Sequence, residues 1–132
     1  ATVPQITIYC GASYGAGNYA MCGRGFHPRF CFSWPNAKTA VMGGEQAAKT
    51  LLQIEKASLK AKGEIIDPEV EKQLLAKITD RYNAQTTPYY AAARLWVDAI
   101  ISPMDTRKWI SMGIEAANHA PVKPFNPGIL QT

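Results

Sequence analysis

The first 44 residues contain no aspartate or glutamate, and the first acidic residue of the chain is Glu45. The same stretch carries three basic residues, Arg24, Arg29 and Lys38, whereas the charges of the remaining chain nearly balance. A site in this region has no acidic side chain nearby in sequence, so its chemistry would depend on backbone dipoles. The weak positive potential favours an anionic ligand, such as a phosphate, a carboxylate or an enolate.

Other absences exclude several classes of protein. No apolar run approaches the roughly 20 residues of a membrane-spanning helix, and the N-terminus has no signal-peptide pattern, so we expect a cytoplasmic protein. The three cysteines form no CxxC pair and the two histidines lie far apart, so we predict no metal site and expect buried, reduced cysteines. The basic residues form no dense stripe, so we expect no nucleic-acid partner.

Glycine is concentrated in residues 10–25, CGASYGAGNYAMCGRG, which contain five glycines. An apolar strand-like run precedes them and a short helix is predicted at residues 16–22. A strand, a glycine turn and a helix start can direct several main-chain N–H groups at one point, with the positive end of the helix dipole behind them. The N–H groups near Ala16 and Gly17 could form an oxyanion hole. A turn built only for close packing fits the residues equally well.

The whole pattern predicts an α/β protein with strand-turn-helix units in the first third and mostly helices afterwards. Strands are predicted at residues 3–10, 30–34, 39–42 and 99–101. Helices are predicted from 45 to a cap at Gly63, from Asp67 to before Thr86, at 89–96 and from Pro103 to about 118. We expect residues 1–120 to belong to one domain and 121–132 to form an extended, proline-containing tail that docks on the same protein. The first strand has no preceding partner, which suggests the later part of a larger protein.

Further candidates each have a structural alternative. Gly43 and Gly44 could be a second point of close approach or simply a sharp strand-to-helix connection. His27 could act as a general base, although an ordinary loop histidine is favoured because no acid lies nearby in sequence. Tyr14 and Tyr19 fit the core better than ligand stacking.

Four blocks resemble the carboxyltransferase subunits of biotin-dependent acyl-CoA enzymes: GASYGAGNYAMCGRGFHPRF, WPNAKTAVMGGEQAA, RLWVDAIISPMDTRK and FNPGILQT. The resemblance is strongest to the α subunit of glutaconyl-CoA decarboxylase, with the β subunit of methylcrotonyl-CoA carboxylase as the alternative. It implies a crotonase-like superhelix of ββα units, of which this chain would be the latter part of the second domain.

The resemblance also implies a site. The main-chain N–H groups of Ala16 and Gly17 would form the oxyanion hole for the ureido oxygen of biotin. The implied cofactor-binding residues are Tyr14, Gly15, Asn18, Gly43 and Gly44. Biotin would arrive on a separate carrier protein, a CoA thioester would be the substrate, and the reaction would run towards decarboxylation.

The implied partners are further copies of the full subunit, in a homodimer or larger oligomer, and membrane sodium-pump subunits. Two other functions stay open. A crotonase-like hydratase or isomerase would need an acid or base near the glycine turn. The isolated chain could instead be a non-catalytic association module with exposed apolar faces.

Overall fold

A computed structural model describes residues 3–61, 63, 67–121 and 124. The strands are β1 (Ile6–Tyr9), β2 (Ala12–Tyr14), β3 (Phe30–Ser33), β4 (Lys38–Ala40) and β5 (Ala99–Ile100). The helices are α1 (Gly15–Ala20), α2 (Gly44–Ala61), α3 (Pro68–Gln85), α4 (Pro88–Ala92) and α5 (Thr106–Asn118), with short 3-10 helices at Arg24–Phe26 and Pro103–Asp105.

The first third consists of two ββα units, β1-β2-α1 and β3-β4-α2. The first strand of each unit joins one parallel sheet, in the order β1-β3-β5, and the second strands pair as a separate parallel sheet, β2-β4. Parallel strands need crossover connections, and here each crossover includes a helix. The predicted α/β class and its ββα repeat are therefore present.

Helix α5 covers the β1-β3-β5 sheet through a glycine. A Cβ on Gly113 would lie 2.9 Å from Ile6 Cδ1 and 3.3 Å from Phe30 Cδ2, so a larger residue there would require the end of the Ile6 side chain to shift. One turn earlier, the Trp109 ring lies 5.2 Å from the Phe32 ring, centroid to centroid. The first turn is tied down by the Trp34 indole N–H, which donates to Thr106 Oγ1 at 3.0 Å.

Helices α2 and α3 pack mainly on each other. The predicted start of α3 is confirmed, because the Asp67 side chain accepts a hydrogen bond from the Glu69 N–H and proline follows the cap. The predicted burial of one α3 face is wrong: every residue of α3 is at least partly exposed, and Val70 is 55% exposed. The helix rests on α2 rather than on the sheets, so its apolar stripe is only half covered.

Three local predictions are corrected. The sequence predicted no strand at residues 12–14, where the structure has β2. Three residues between two glycines carry too little pattern to indicate a strand. Helix α4 ends at Ala92 instead of residue 96, since Leu95 takes a left-handed φ of 59° and the Trp96 N–H bonds back to Ala91 O at 2.9 Å. Among the cysteines, which are all free thiols, Cys31 is buried but Cys10 is exposed.

The predicted docking of the proline-containing tail concerns residues 121–132. Most of that segment, 122–123 and 125–132, lies outside the described residues. The proposed boundary at residue 120 follows the end of α5 at Asn118.

Candidate functional site

The two predicted glycine turns meet in space. Strands β2 and β4 are parallel neighbours, so the helices that follow them start at the same edge. A Cβ on Gly15, at the start of α1, would lie 2.9 Å from Val41 O. A Cβ on Gly43, just before α2, would lie 3.8 Å from Tyr14 Cε2. The structure thus brings Tyr14, Gly15 and Gly43 close together, three of the residues that the resemblance implies for cofactor binding.

Glycine is favoured at position 15 both by its left-handed φ and by the closeness of Val41 O to any Cβ there. Gly15 has a φ of +54°, and Tyr14 before it is extended, so the chain turns sharply from β2 into α1. The first N–H groups of a helix have no partner within that helix, and they carry the positive end of its dipole. Residues 15–17 supply such groups here, in a stretch that contains no acid.

Helix α1 has two different faces. Ala16 and Gly17 are exposed, and within the described residues a Cβ on Gly17 would meet no atom within 4 Å. Gly15, Asn18 and Tyr19 instead line a cavity of about 300 Å³ behind the helix. The residues predicted to supply the oxyanion donors, Ala16 and Gly17, are therefore exposed, while the predicted cofactor-binding residue Asn18 lines the cavity.

Asn18 is occupied by contacts within the protein. Its Nδ2 donates to Ser13 Oγ at 3.0 Å, and its main-chain oxygen accepts from the Gly23 N–H at 2.8 Å. Gly23 has no room for a Cβ because the Asn18 side chain fills that space. Gly23 is thus a packing glycine, whereas Gly17 is not.

The second glycine turn is also partly structural. Gly44 is buried, and a Cβ there would lie 2.6 Å from Asn83 Oδ1 and 3.4 Å from Tyr82 Cβ on α3. This contact fits the strand-to-helix alternative given above for Gly44. It also shows that the sharp strand-to-helix connection is a real constraint at this turn.

The cavity behind α1 is mostly apolar, and Arg24, Trp96 and Val97 are among the residues that line it. Tyr9 also lines it, and burial raises the pKa of its hydroxyl, with the neighbouring Cys31 thiol adding to the rise. Burial likewise raises the pKa of Cys31, the innermost of these residues. Both groups stay neutral near pH 7, so neither is an activated nucleophile.

An acid does enter this region from a distant part of the chain. Both carboxylate oxygens of Asp98 lie 3.4 Å from Arg24 Nη1, and Asp98 Oδ2 accepts from the Cys31 N–H at 2.8 Å. The stretch that lacks acids in sequence is therefore not free of them in space. Sequence analysis missed Asp98 because 74 residues separate it from Arg24 and no local pattern links the two.

The remaining candidates are less informative. His27 is exposed at the end of the 3-10 helix, with a left-handed φ of 53°, which favours the loop alternative. Tyr19 is 58% exposed, so its prediction as a core residue is wrong.

Within the described residues, no group of three or more His, Cys, Asp or Glu is placed to hold a metal ion. In that same part of the chain, every helix is too short or too polar to span a bilayer.

Comparison with known proteins places these features in a family. The model of the carboxyl transferase domain matches residues 1–128. The methylcrotonoyl-CoA carboxylase β chain of Arabidopsis thaliana mitochondria is 47% identical over 131 residues, which are 99% of this chain and 22% of that protein. The biotin-dependent 3-methylcrotonyl-coenzyme A carboxylase β1 subunit of Mycobacterium tuberculosis is 45% identical, covering 99% of this chain and 25% of that protein.

A solved structure agrees with the sequence comparison. The transcarboxylase 12S hexamer with hydrolysed methylmalonyl-coenzyme A superimposes with a TM-score of 0.74 at 34% identity, covering all of this chain and 23% of that one. The chain thus spans about a quarter or less of the length of these relatives. They are carboxylase and transcarboxylase subunits, which favours the methylcrotonyl-CoA alternative over the glutaconyl-CoA decarboxylase interpretation. With its crotonase-like fold, this chain belongs to the carboxyl transferase domain family.

Proposed function

We propose that this chain is the biotin-side portion of a carboxyltransferase subunit, which moves a carboxyl group between biotin and a short-chain acyl-CoA. Biotin would be attached to a separate carrier protein. The family and the biotin-dependent M. tuberculosis relative support this class of reaction. The observation that carries the proposal is the outward face of α1, where Ala16 and Gly17 are exposed and the space around Gly17 is open.

The main chain at Ala16 and Gly17 offers donors that suit the ureido group of biotin. A nitrogen of that group would carry the carboxyl group. The N–H groups of Ala16 and Gly17 would donate to the ureido oxygen and stabilise the negative charge that develops there. One well-placed donor of this kind contributes about 3 kcal/mol in known enzymes. No side-chain base is needed for this role, which suits a segment without acids of its own.

The other predicted site residues would act around these two donors. The positive φ of Gly15 aims the start of α1, and Tyr14 with Gly43 forms the neighbouring wall. Gly44 would contribute only by seating α2 against α3.

We propose a methylcrotonyl-CoA-like acyl-CoA as the substrate, because two relatives named for that reaction share 47% and 45% identity with this chain. The pocket for the acyl-CoA would lie outside these 132 residues, in the rest of the subunit.

We also propose that the subunit assembles with copies of itself. Apolar side chains near the site are exposed, among them Met21 at 78% and Phe26 at 59%. The transcarboxylase 12S relative is a hexamer by its description. Exposed apolar patches such as the one that contains Met21 and Phe26 commonly mark protein interfaces.

The relatives named above offer no support for membrane sodium-pump partners. The cytoplasmic setting stays a prediction, since one of the named relatives is mitochondrial.

The direct test uses the intact subunit with free biocytin in place of the carrier protein. The carboxyl donor would be the carboxylated product of methylcrotonyl-CoA in one assay and glutaconyl-CoA in a parallel assay. Biocytin would be the acceptor in both. We expect turnover that depends on biocytin and a larger kcat/KM for the methylcrotonyl series.

A higher kcat/KM for glutaconyl-CoA would reverse the choice of substrate but keep the reaction class. Hydration of an enoyl-CoA without any dependence on biocytin would instead support the hydratase alternative and refute the proposal. Sedimentation of the same sample tests the assembly, which predicts a species larger than the monomer.

A further inference from the structure

Helix α1 is short and incompletely buried. It contains six residues, every one of them at least partly exposed, and a cavity of about 300 Å³ lies behind it. A helix this short is not stable alone in water. The Tyr19 ring of α1 packs edge-on against Phe26, with 5.7 Å between the ring centroids. Since a packed core does not fill the space behind α1, polar contacts on its inward face add to this packing in setting its orientation.

Asn18 supplies those contacts from the inward face. Its side-chain amide donates to Ser13 Oγ on β2 at 3.0 Å, which ties the helix back to the preceding strand. Its carbonyl accepts the Gly23 N–H at 2.8 Å, and its side chain occupies the space where a Cβ of residue 23 would lie. Asn18 therefore joins α1 to the element before it and to the turn after it.

The outward donors depend on the same orientation. Gly17 immediately precedes Asn18, so a rotation of α1 about its axis would move the Gly17 N–H and the Asn18 side chain together. Displacements of about 1 Å at a reacting group can reduce rates by up to about 100-fold. The Asn18–Ser13 hydrogen bond opposes such a rotation.

We propose that Asn18 is a positioning residue, which holds the N–H groups of Ala16 and Gly17 in the orientation that carboxyl transfer requires. This inference rests on the proposed function. Asn18 would act on the ligand through α1, from the opposite face, without touching it.

The test compares Asn18→Ala, Ser13→Ala and the double variant in the intact subunit. Asn36→Ala is the matched control, because Asn36 is an exposed asparagine in the turn between β3 and β4. The first measurement is hydrogen exchange at the Met21 and Gly23 amides, which bond to Gly17 O and Asn18 O. We expect about tenfold faster exchange in Asn18→Ala and no change in the control.

The second measurement is steady-state kinetics with free biocytin. For Asn18→Ala we expect kcat/KM for biocytin to fall about 10- to 100-fold while KM for the acyl-CoA stays unchanged. A general loss of structure would alter both. The double variant should resemble the worse single variant, because both changes break the same hydrogen bond.

Unchanged exchange and wild-type kinetics in Asn18→Ala would overturn this inference and leave the proposed function standing. Additive effects of the two single changes would also overturn it. If the wild-type subunit showed no dependence on biocytin, the proposed function would fail, and this inference with it, even if exchange responded as expected.

Discussion

Replacing Gly17 with alanine should separate the stability of the fold from its proposed activity. Gly17 is the third residue of α1, and a Cβ there would meet no atom within 4 Å among the described residues. Alanine is about 1 kcal/mol more favourable than glycine within a helix. The substitution should therefore leave the unfolding free energy unchanged or raise it by up to about that amount. Gly15 is no substitute for this test, because its positive φ makes any replacement strained.

The same methyl group should impair carboxyl transfer. Cβ atoms in a helix lean towards its N-terminus, so the new methyl would project towards the place where the ureido oxygen meets the N–H groups. The N–H of residue 17 is retained, but the ligand would be held further from it. Loss of one such donor reduces kcat about 100- to 1000-fold, so partial displacement by alanine should reduce it about tenfold and valine should approach the full loss.

The assay is biocytin-dependent transfer by the intact subunit, with thermal unfolding measured on the same samples. Gly11→Ala is the matched control: Gly11 is exposed, and in the described structure a Cβ there also meets no atom within 4 Å, but it lies outside α1. Wild-type turnover by Gly17→Val would refute the assignment of this helix start as the oxyanion hole. So would equal losses of activity in Gly11→Ala and Gly17→Ala.

Two further substitutions test the energetics of the surrounding structure. Removing the Asp98 side chain with Asp98→Ala leaves the buried Cys31 N–H without its acceptor, so unfolding in urea should show a loss of about 1–3 kcal/mol. Asp98→Asn keeps an acceptor oxygen and removes only the partly exposed ion pair with Arg24, so its unfolding free energy should fall by less than about 1 kcal/mol. Equal falls in Asp98→Ala and Asp98→Asn would show that the ion pair dominates. Asp67→Ala removes the cap of α3 and should destabilise its first turn by about 1 kcal/mol, seen as faster hydrogen exchange there, whereas Asp80→Ala in the middle of the same helix should not.

The sequence predicted those parts of the fold that short-range patterns determine. The cap at Asp67 combines a side-chain acceptor with a following proline, and α3 begins where expected. The contact of Asp98 with Arg24 could not be predicted, because it depends on how β5 joins the sheet. The half-exposed stripe of α3 was missed for a related reason: a four-residue repeat shows that a helix has an apolar face but not how fully that face is covered.

The glycines of residues 10–25 illustrate why a dense glycine segment alone could not decide between packing and binding. Gly15 is required by its left-handed φ, and Gly23 by the Asn18 side chain that occupies its space. Among the described residues neither constraint applies to Gly17: it lies in a helix, a Cβ there meets no atom within 4 Å, and alanine would be more stable by about 1 kcal/mol. A residue that weakens its own helix without a structural reason is best explained by something that must approach it. Gly17 is therefore the glycine of α1 that the proposed ligand would explain, whereas backbone conformation and packing account for Gly15 and Gly23.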